Sequence, residues 1–211
     1  MAQGFPRESI DMVMCTHMHV DHVGFNTVQA EGGGWEPTFP NAKYFFGREE
    51  YEHWQAAAKS GDGNMNSTIL DDSIAPIVDA GLAEIVESDA VLIDEPGEAR
   101  VCLMPTPGHT PGHVSVRIET PTQTAIITGD CIHHPIQIAD VALGSSADTD
   151  ADMAIQTRGA LLDDLQGSET LLFGTHFATP SCGFVKQDKE GGGDYLLEVK
   201  HGDATADETK L

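Results

Sequence analysis

The run IDMVMC at residues 10–15 is apolar at nearly every position and ends in a polar loop, the pattern of a short buried strand. KYFF at 43–46 predicts a second strand. From about 47 to 60, Tyr51, Trp54 and Ala58 recur at helical spacing while Arg48, Glu49, Glu52 and Lys59 can face water. Residues 61–75 read as a loop, and a short helix over about 72–79 stops before Gly81. Strands are predicted at 83–87, 90–93, 99–104, 113–119 and 123–128, separated by Pro, Gly and Asp clusters. A further helix covers 151–166, with Asp150 as its cap and Met153, Thr157, Leu161 and Leu165 on one face. TLLF at 170–173 predicts another strand. GFVKQ and DYLLEVK flank the turn-forming DKEGGG as a closing hairpin, and GDATADETKL reads as a frayed tail. Strands mixed with two or three helices indicate a layered α/β fold, one domain over 1–200 with an acidic tail at 201–211.

With 40% apolar residues in 211, the chain can bury a core, and no apolar run reaches the eighteen residues of a membrane span. The start, MAQGFPRESIDM, has neither the basic nor the apolar region of a secretory signal. Thirty-four acidic residues against eleven basic ones give a net charge of -23. A surface so negative repels nucleic acid and anionic lipid, leaving a small molecule as the expected partner. The charge reads first as a solubility shell, and second as an adaptation to high salt, where repulsion is screened. Cys15, Cys102, Cys131 and Cys182 form no CxxC pair, so neither a disulfide framework nor a thiolate zinc site is implied. Reduced thiols and a cytoplasmic location are expected, with Cys15 and Cys102 as core residues.

The chemistry gathers in THMHVDHVG. His17 and His19, two residues apart at a strand exit, project to one side and can reach one cation. Asp21 and His22 follow where the chain turns and can aim at a second point nearby. Imidazole and carboxylate without thiolate suit zinc first, and manganese, iron or cobalt as well. Three later positions fall at the ends of predicted strands, where α/β sheets collect ligands. They are His109 in MPTPGHTPGH, Asp130 in AIITGD and His176 in LLFGTH. Ser115 and Ser181 lack a nucleophile-elbow motif.

Taken in order over about residues 7–200, THMHVDHVG, PTPGHTPGH, TGD and GTH resemble the metallo-β-lactamase-fold hydrolases. GHTPGH, GDCIHHPIQ and GTHFATP are similar to the branch holding bacterial lactonases and methyl-parathion-type phosphotriesterases. The resemblance implies an αββα sandwich around two divalent metal ions. It assigns His17, His19 and His109 to the first, Asp21, His22 and His176 to the second, and Asp130 to both. It implies that a water shared by the two ions yields a hydroxide that attacks an ester-like bond, a lactone or phosphotriester first. Asp130 would then fix the metal separation and Asp21 would handle a proton. A β-lactam or thioester hydrolase uses similar chemistry. An iron-dependent oxidoreductase of the persulfide-dioxygenase kind, or an inactive shortened metal-binding chain, are the alternatives. His113 is expected to begin the strand HVSVRIE or to support the ligands, His133 and His134 are candidates for the substrate pocket, and His53 and His201 read as surface residues. A homo-oligomer is compatible with all of this. The family normally carries several strands and a helix before its HxHxDH loop, which begins here at residue 17. The resemblance therefore implies a domain lacking its first strands, with an uncovered sheet edge and an exposed apolar face.

Overall fold

A computed structural model describes residues 4–60, 68–189 and 191–199. Strands β1 (Met12–Cys15), β4 (Lys43–Gly47) and β5 (Ala83–Val86) form a parallel three-stranded sheet in the order β1-β4-β5. A larger sheet takes β6 (Val91–Glu95), β7 (Ala99–Pro105), β8 (Val114–Glu119), β9 (Thr124–Ile127), β10 (Thr170–Phe173), β11 (Cys182–Gln187) and β12 (Tyr195–Glu198) in sequential spatial order. Its neighbours are antiparallel except β9 and β10, whose parallel pairing requires the crossover that helix α5 (Ala151–Leu165) supplies. A small hairpin pairs β2 (Thr27–Gln29) with β3 (Trp35–Pro37).

Side-chain alternation builds the layers. On β1, Val13 and Cys15 join Tyr44 and Phe46 of β4 against helices α2 (Arg48–Ser60) and α3 (Ala75–Asp79). Met14, pointing the other way, packs with Leu103, Val114 and Val116 of the larger sheet. Beyond that sheet, Leu161, Leu162 and Leu165 of α5 cover Ile126, Leu172 and Val185. The order is helix, sheet, sheet, helix, the expected αββα sandwich. Among the described residues strand β1 pairs only with β4 and lies at the edge of its sheet, with Met12, Val13 and Met14 half-buried.

The predicted elements fall within a few residues of the observed ones, and Asp150 caps α5 by accepting from the Met153 backbone N–H at 3.0 Å. Three details differ. The C-terminal part of the predicted 61–75 loop is a π-helical turn, Leu70–Ile74. Its wider winding lets Ile69 and Ile74, five apart, enter the same core despite the polar Asp71, Asp72 and Ser73 between them. On α2, Ala58 is exposed and Glu50 is buried. On α5 the buried stripe runs through Ala154, Arg158, Leu161, Leu162 and Leu165, leaving Met153 exposed, because the Arg158 guanidinium finds the Cys131, Val141 and Leu143 carbonyls inside. Residues 61–67 of the loop, and the tail at 201–211 with His201, lie outside the described residues. No helix among the described residues is long and apolar enough to cross a membrane.

Candidate metal centre

All seven predicted ligands come together where strands of the two sheets end. β1 leads into His17 and His19, and α1 (Val20–Val23) starts at once, turning Asp21 and His22 back toward the same point. His109 lies between β7 and β8, Asp130 in the 3-10 turn Gly129–Cys131 after β9, and His176 after β10. Gly129 makes that turn possible. Its φ of 54° suits glycine, and a Cβ there would fall 2.6 Å from His113 Nε2.

Two nests share Asp130. In the first, His19 Nδ1 lies 3.1 Å from His17 Nε2 and 2.8 Å from His109 Nε2, and Asp130 Oδ2 faces the latter two at 3.8 and 3.4 Å. In the second, Asp130 Oδ1 lies 3.1 Å from His22 Nε2 and 3.2 Å from His176 Nε2, while Asp21 Oδ2 is 3.3 and 3.4 Å from the same two nitrogens. One carboxylate thus offers one oxygen to each nest. In the first nest His17, His109 and Asp130 are buried and His19 is half-buried, whereas the Asp21 and His176 side chains are 54% and 39% exposed, so the centre opens on that side.

The donor set fits cations. A tetrahedral ion with metal–nitrogen bonds of about 2.0–2.1 Å separates its ligand nitrogens by about 3.3 Å, close to the spacing of the three histidines. Asp130 Oδ1 is buried, and what it faces at 3.1 and 3.2 Å are His22 and His176 Nε2, groups that together can hold a cation. The ring orientations are held from behind. Thr16 Oγ1 sits 3.1 Å from His17 Nδ1, and Asp148 Oδ1 accepts from His109 Nδ1–H at 3.1 Å, leaving both Nε2 lone pairs directed inward.

The electrostatics favour the metal-binding protonation states of His17, His19 and Asp130. Burial, with help from the neighbouring imidazoles, pushes the His17 pKa far down and lowers that of His19 to about 4. Burial would raise the Asp130 carboxyl, but hydrogen bonds from His133 and His22 hold it well below the usual carboxylate range. For His22, burial acts downward and is outweighed by the Asp130 hydrogen bond and charge, so its pKa is raised.

The remaining histidines separate cleanly. His113 is buried behind the centre, as expected, with Nε2 accepting the Asp130 backbone N–H at 3.0 Å. His133 faces the centre, its Nε2 3.2 Å from Asp130 Oδ2 and its ring stacked on His176. His134 is exposed, and its Nδ1 accepts from Ile136 N–H at the start of the short helix α4 (Ile136–Ala139). His53, expected at the surface, is half-buried edge-on to Trp54. Sequence reasoning missed Asp148 and Glu50. Asp148 sits among many acidic residues in SSADTDADM with nothing local to distinguish it, and its carboxylate is 1% exposed. Glu50, two residues into α2, looks like any acidic first-turn residue, yet it is 1% exposed.

Comparison with known proteins agrees with this geometry. A family model described as the metallo-beta-lactamase superfamily matches residues 1–182. An N-acyl homoserine lactonase from Bacillus sp. is 33% identical over 117 residues, covering 56% of this chain and 36% of that protein, so the chain spans little more than a third of the curated relative it matches. Among solved structures, the hydrolase AbOPH of the beta lactamase superfamily aligns with a TM-score of 0.77 at 25% identity, over 96% of this chain and 68% of its own. A B. thuringiensis AiiA variant with N-decanoyl-L-homoserine bound at the active site aligns at 0.59 and 25% identity, over 85% of this chain and 60% of its own. The dizinc quorum-quenching lactonase AidC, at 24% identity, a TM-score of 0.71 and 95% and 68% coverage, shares the fold. The family match reaches from the edge strand through His176, and on that ground this chain is a member of the metallo-β-lactamase superfamily.

Proposed function

We propose that the chain is a dinuclear metal-dependent hydrolase of ester-like bonds, with a lactone as first substrate and a phosphotriester as second. The observation that carries the reading is the division of Asp130, one oxygen toward His17 and His109 and the other toward His22 and His176. His17, His19 and His109 would hold one ion, Asp21, His22 and His176 the other, and Asp130 both. Zinc suits these donors and is the metal named for AidC. When bound, such a pair supplies Lewis acidity toward a carbonyl or phosphoryl oxygen and a hydroxide nucleophile at neutral pH.

The chain's own groups do the rest. Asp148 and Thr16 fix the histidine rings, so that no reorientation is needed during reaction. The Asp21 carboxylate, 54% exposed at the open side, would take a proton from the attacking group and return it to the leaving alkoxide while remaining a ligand. His133 closes the free side of Asp130 Oδ2 and keeps that carboxylate ionised. Val20, Phe25 and Ile136 are 49%, 62% and 52% exposed on the segments that carry His19, His22 and His133, and apolar groups there favour a substrate with a hydrophobic arm. The lactonase identity of the Bacillus relative and the acyl-homoserine bound to AiiA support that choice.

The test is metal analysis of the purified chain together with a panel of an acyl-homoserine lactone, a simple γ-lactone, an organophosphate triester, a cephalosporin and a thioester, with and without chelator. Chelator-sensitive lactone opening is expected. Two bound ions with no turnover of any panel member would refute the reading.

A further inference from the structure

Glu50 lies on the first turn of α2, on no ligand-bearing loop, and its carboxylate collects four hydrogen bonds. Met18 N–H and the Trp54 indole N–H donate to Oε1 at 2.9 and 2.7 Å. The Thr110 hydroxyl and Gly112 N–H donate to Oε2 at 2.7 and 3.2 Å. Met18 is the residue between His17 and His19, and Thr110 directly follows His109. One side chain therefore ties the segment bearing two histidines of the first nest to the loop bearing the third. Trp54, fixed by the same carboxylate, stands edge-on to His19 with ring centroids 5.6 Å apart.

The fit leaves no slack. A Cβ on Gly112 would fall 2.1 Å from Glu50 N, so glycine there is what lets the first turn of α2 seat against the His109 loop. Three of the four partners are N–H groups that can only donate and lie on both oxygens, so both carboxylate oxygens must accept, and an amide in this place would turn its own NH2 against at least one of them. Among the described residues, the hydrogen bonds of the Glu50 carboxylate end on Met18, Trp54, Thr110 and Gly112, and none falls on α1, which carries Asp21 and His22, or on the loop of His176.

We propose that Glu50 is a positioning residue for one half of the centre, setting the mutual placement of His17, His19 and His109 and leaving the Asp21, His22 and His176 half alone. The inference rests on the metal-centre reading above, and its test reads zinc binding rather than turnover, so it does not depend on which ester is cleaved. Zinc affinity is measured by competition with a chromophoric chelator in two backgrounds. His176→Ala retains the three-histidine nest, and His19→Ala retains the other. Glu50→Gln should weaken zinc by about 10-fold or more in the first background and by less than about 2-fold in the second, the size expected when an outer partner of a ligand set is lost. Equal weakening in both, or none in the first, would overturn the proposal, since a merely structural role has no reason to choose between nests. Should Glu50→Gln fail to melt cooperatively, Thr110→Val, which removes a single donor on the His109 arm, carries the same test. Selective weakening in the His176→Ala background supports the proposal and an equal or absent effect overturns it. No zinc binding in either background with Glu50 intact would bring down the metal-centre reading and the proposal with it.

Discussion

His113 offers a direct test of the electrostatics behind the centre. It is 1% exposed, and both ring nitrogens are committed. Nε2 accepts the Asp130 N–H at 3.0 Å, and Nδ1 lies 3.1 Å from the Thr106 carbonyl oxygen, which can only accept. The ring is therefore the neutral tautomer with its proton on Nδ1, and a second proton on Nε2 would set two N–H groups against each other. Burial, joined by the charge of His109, lowers its pKa from 6.5 to about 3. Between those values the unfolded chain binds a proton that the native protein does not, so stability present above pH 6.5 is lost as the pH falls. Each pH unit in that window costs about 1.4 kcal/mol, which amounts to about 2.7 kcal/mol over two units from this one residue. The assay is urea denaturation of the metal-free protein between about pH 7 and pH 4.5. His113→Gln, whose amide oxygen can still accept from Asp130 N–H, is compared with the parent. Contributions from His17 and His19 appear in both proteins and cancel. The parent should lose stability more steeply by about one proton's worth of slope. Identical slopes would refute the neutral, buried state of His113 and the support it is argued to give Asp130.

Other expectations are simpler. His17→Ala or Asp130→Ala should abolish any chelator-sensitive hydrolysis while the far-UV spectrum persists, and undiminished turnover in either would contradict the ligand assignment. Asp148→Asn should weaken zinc by about 10- to 100-fold, because the carboxylate that orients His109 is lost; competition titration reads it directly. Asp150→Ala removes the α5 cap and should cost about 1 kcal/mol in urea denaturation. With a net charge of -23, the melting temperature should rise between low and molar salt as self-repulsion is screened, and a flat response would leave the solubility-shell account standing alone.

Much of the fold was legible because its strands carry their own signals. VLID, RVCLMP, VSVRIE and TAII are short apolar runs bounded by turn residues, and each became a strand of the larger sheet. What could not be read depends on partners far along the chain. The hairpin of β2 and β3 has only three residues per strand, too few for alternation to show. The π-helical turn over Leu70–Ile74 contains two aspartates and a serine, poor local evidence for any helix, and its winding follows from burial of Ile69 and Ile74. Arg158 shows the same effect, since a guanidinium reads as surface until three carbonyls from residues 131, 141 and 143 surround it.

The candidate ligand set was legible for a physical reason that does not extend to its supports. A metal ligand must be one of few residue types, must leave a strand or turn at a defined angle, and comes in company, so HxHxDH declares itself. A residue that holds a ligand in place obeys none of these limits. Thr16, Asp148 and Glu50 act through a single oxygen each toward a given partner, and any of many polar residues at many positions could do so. Glu50 reaches Met18 across 32 residues and Gly112 across 62, distances over which no local pattern survives. A buried acidic residue in this chain is also one of thirty-four, and its neighbours Glu49 and Glu52 face water. The burial of one particular carboxylate, with every oxygen lone pair directed at a donor, is what separates support from surface, because leaving such a group buried and unpaired would cost more than the fold can absorb. The logic therefore runs from the core outward. The nests can be named from sequence, but which side chains make them rigid enough to bind follows only once the packing is known.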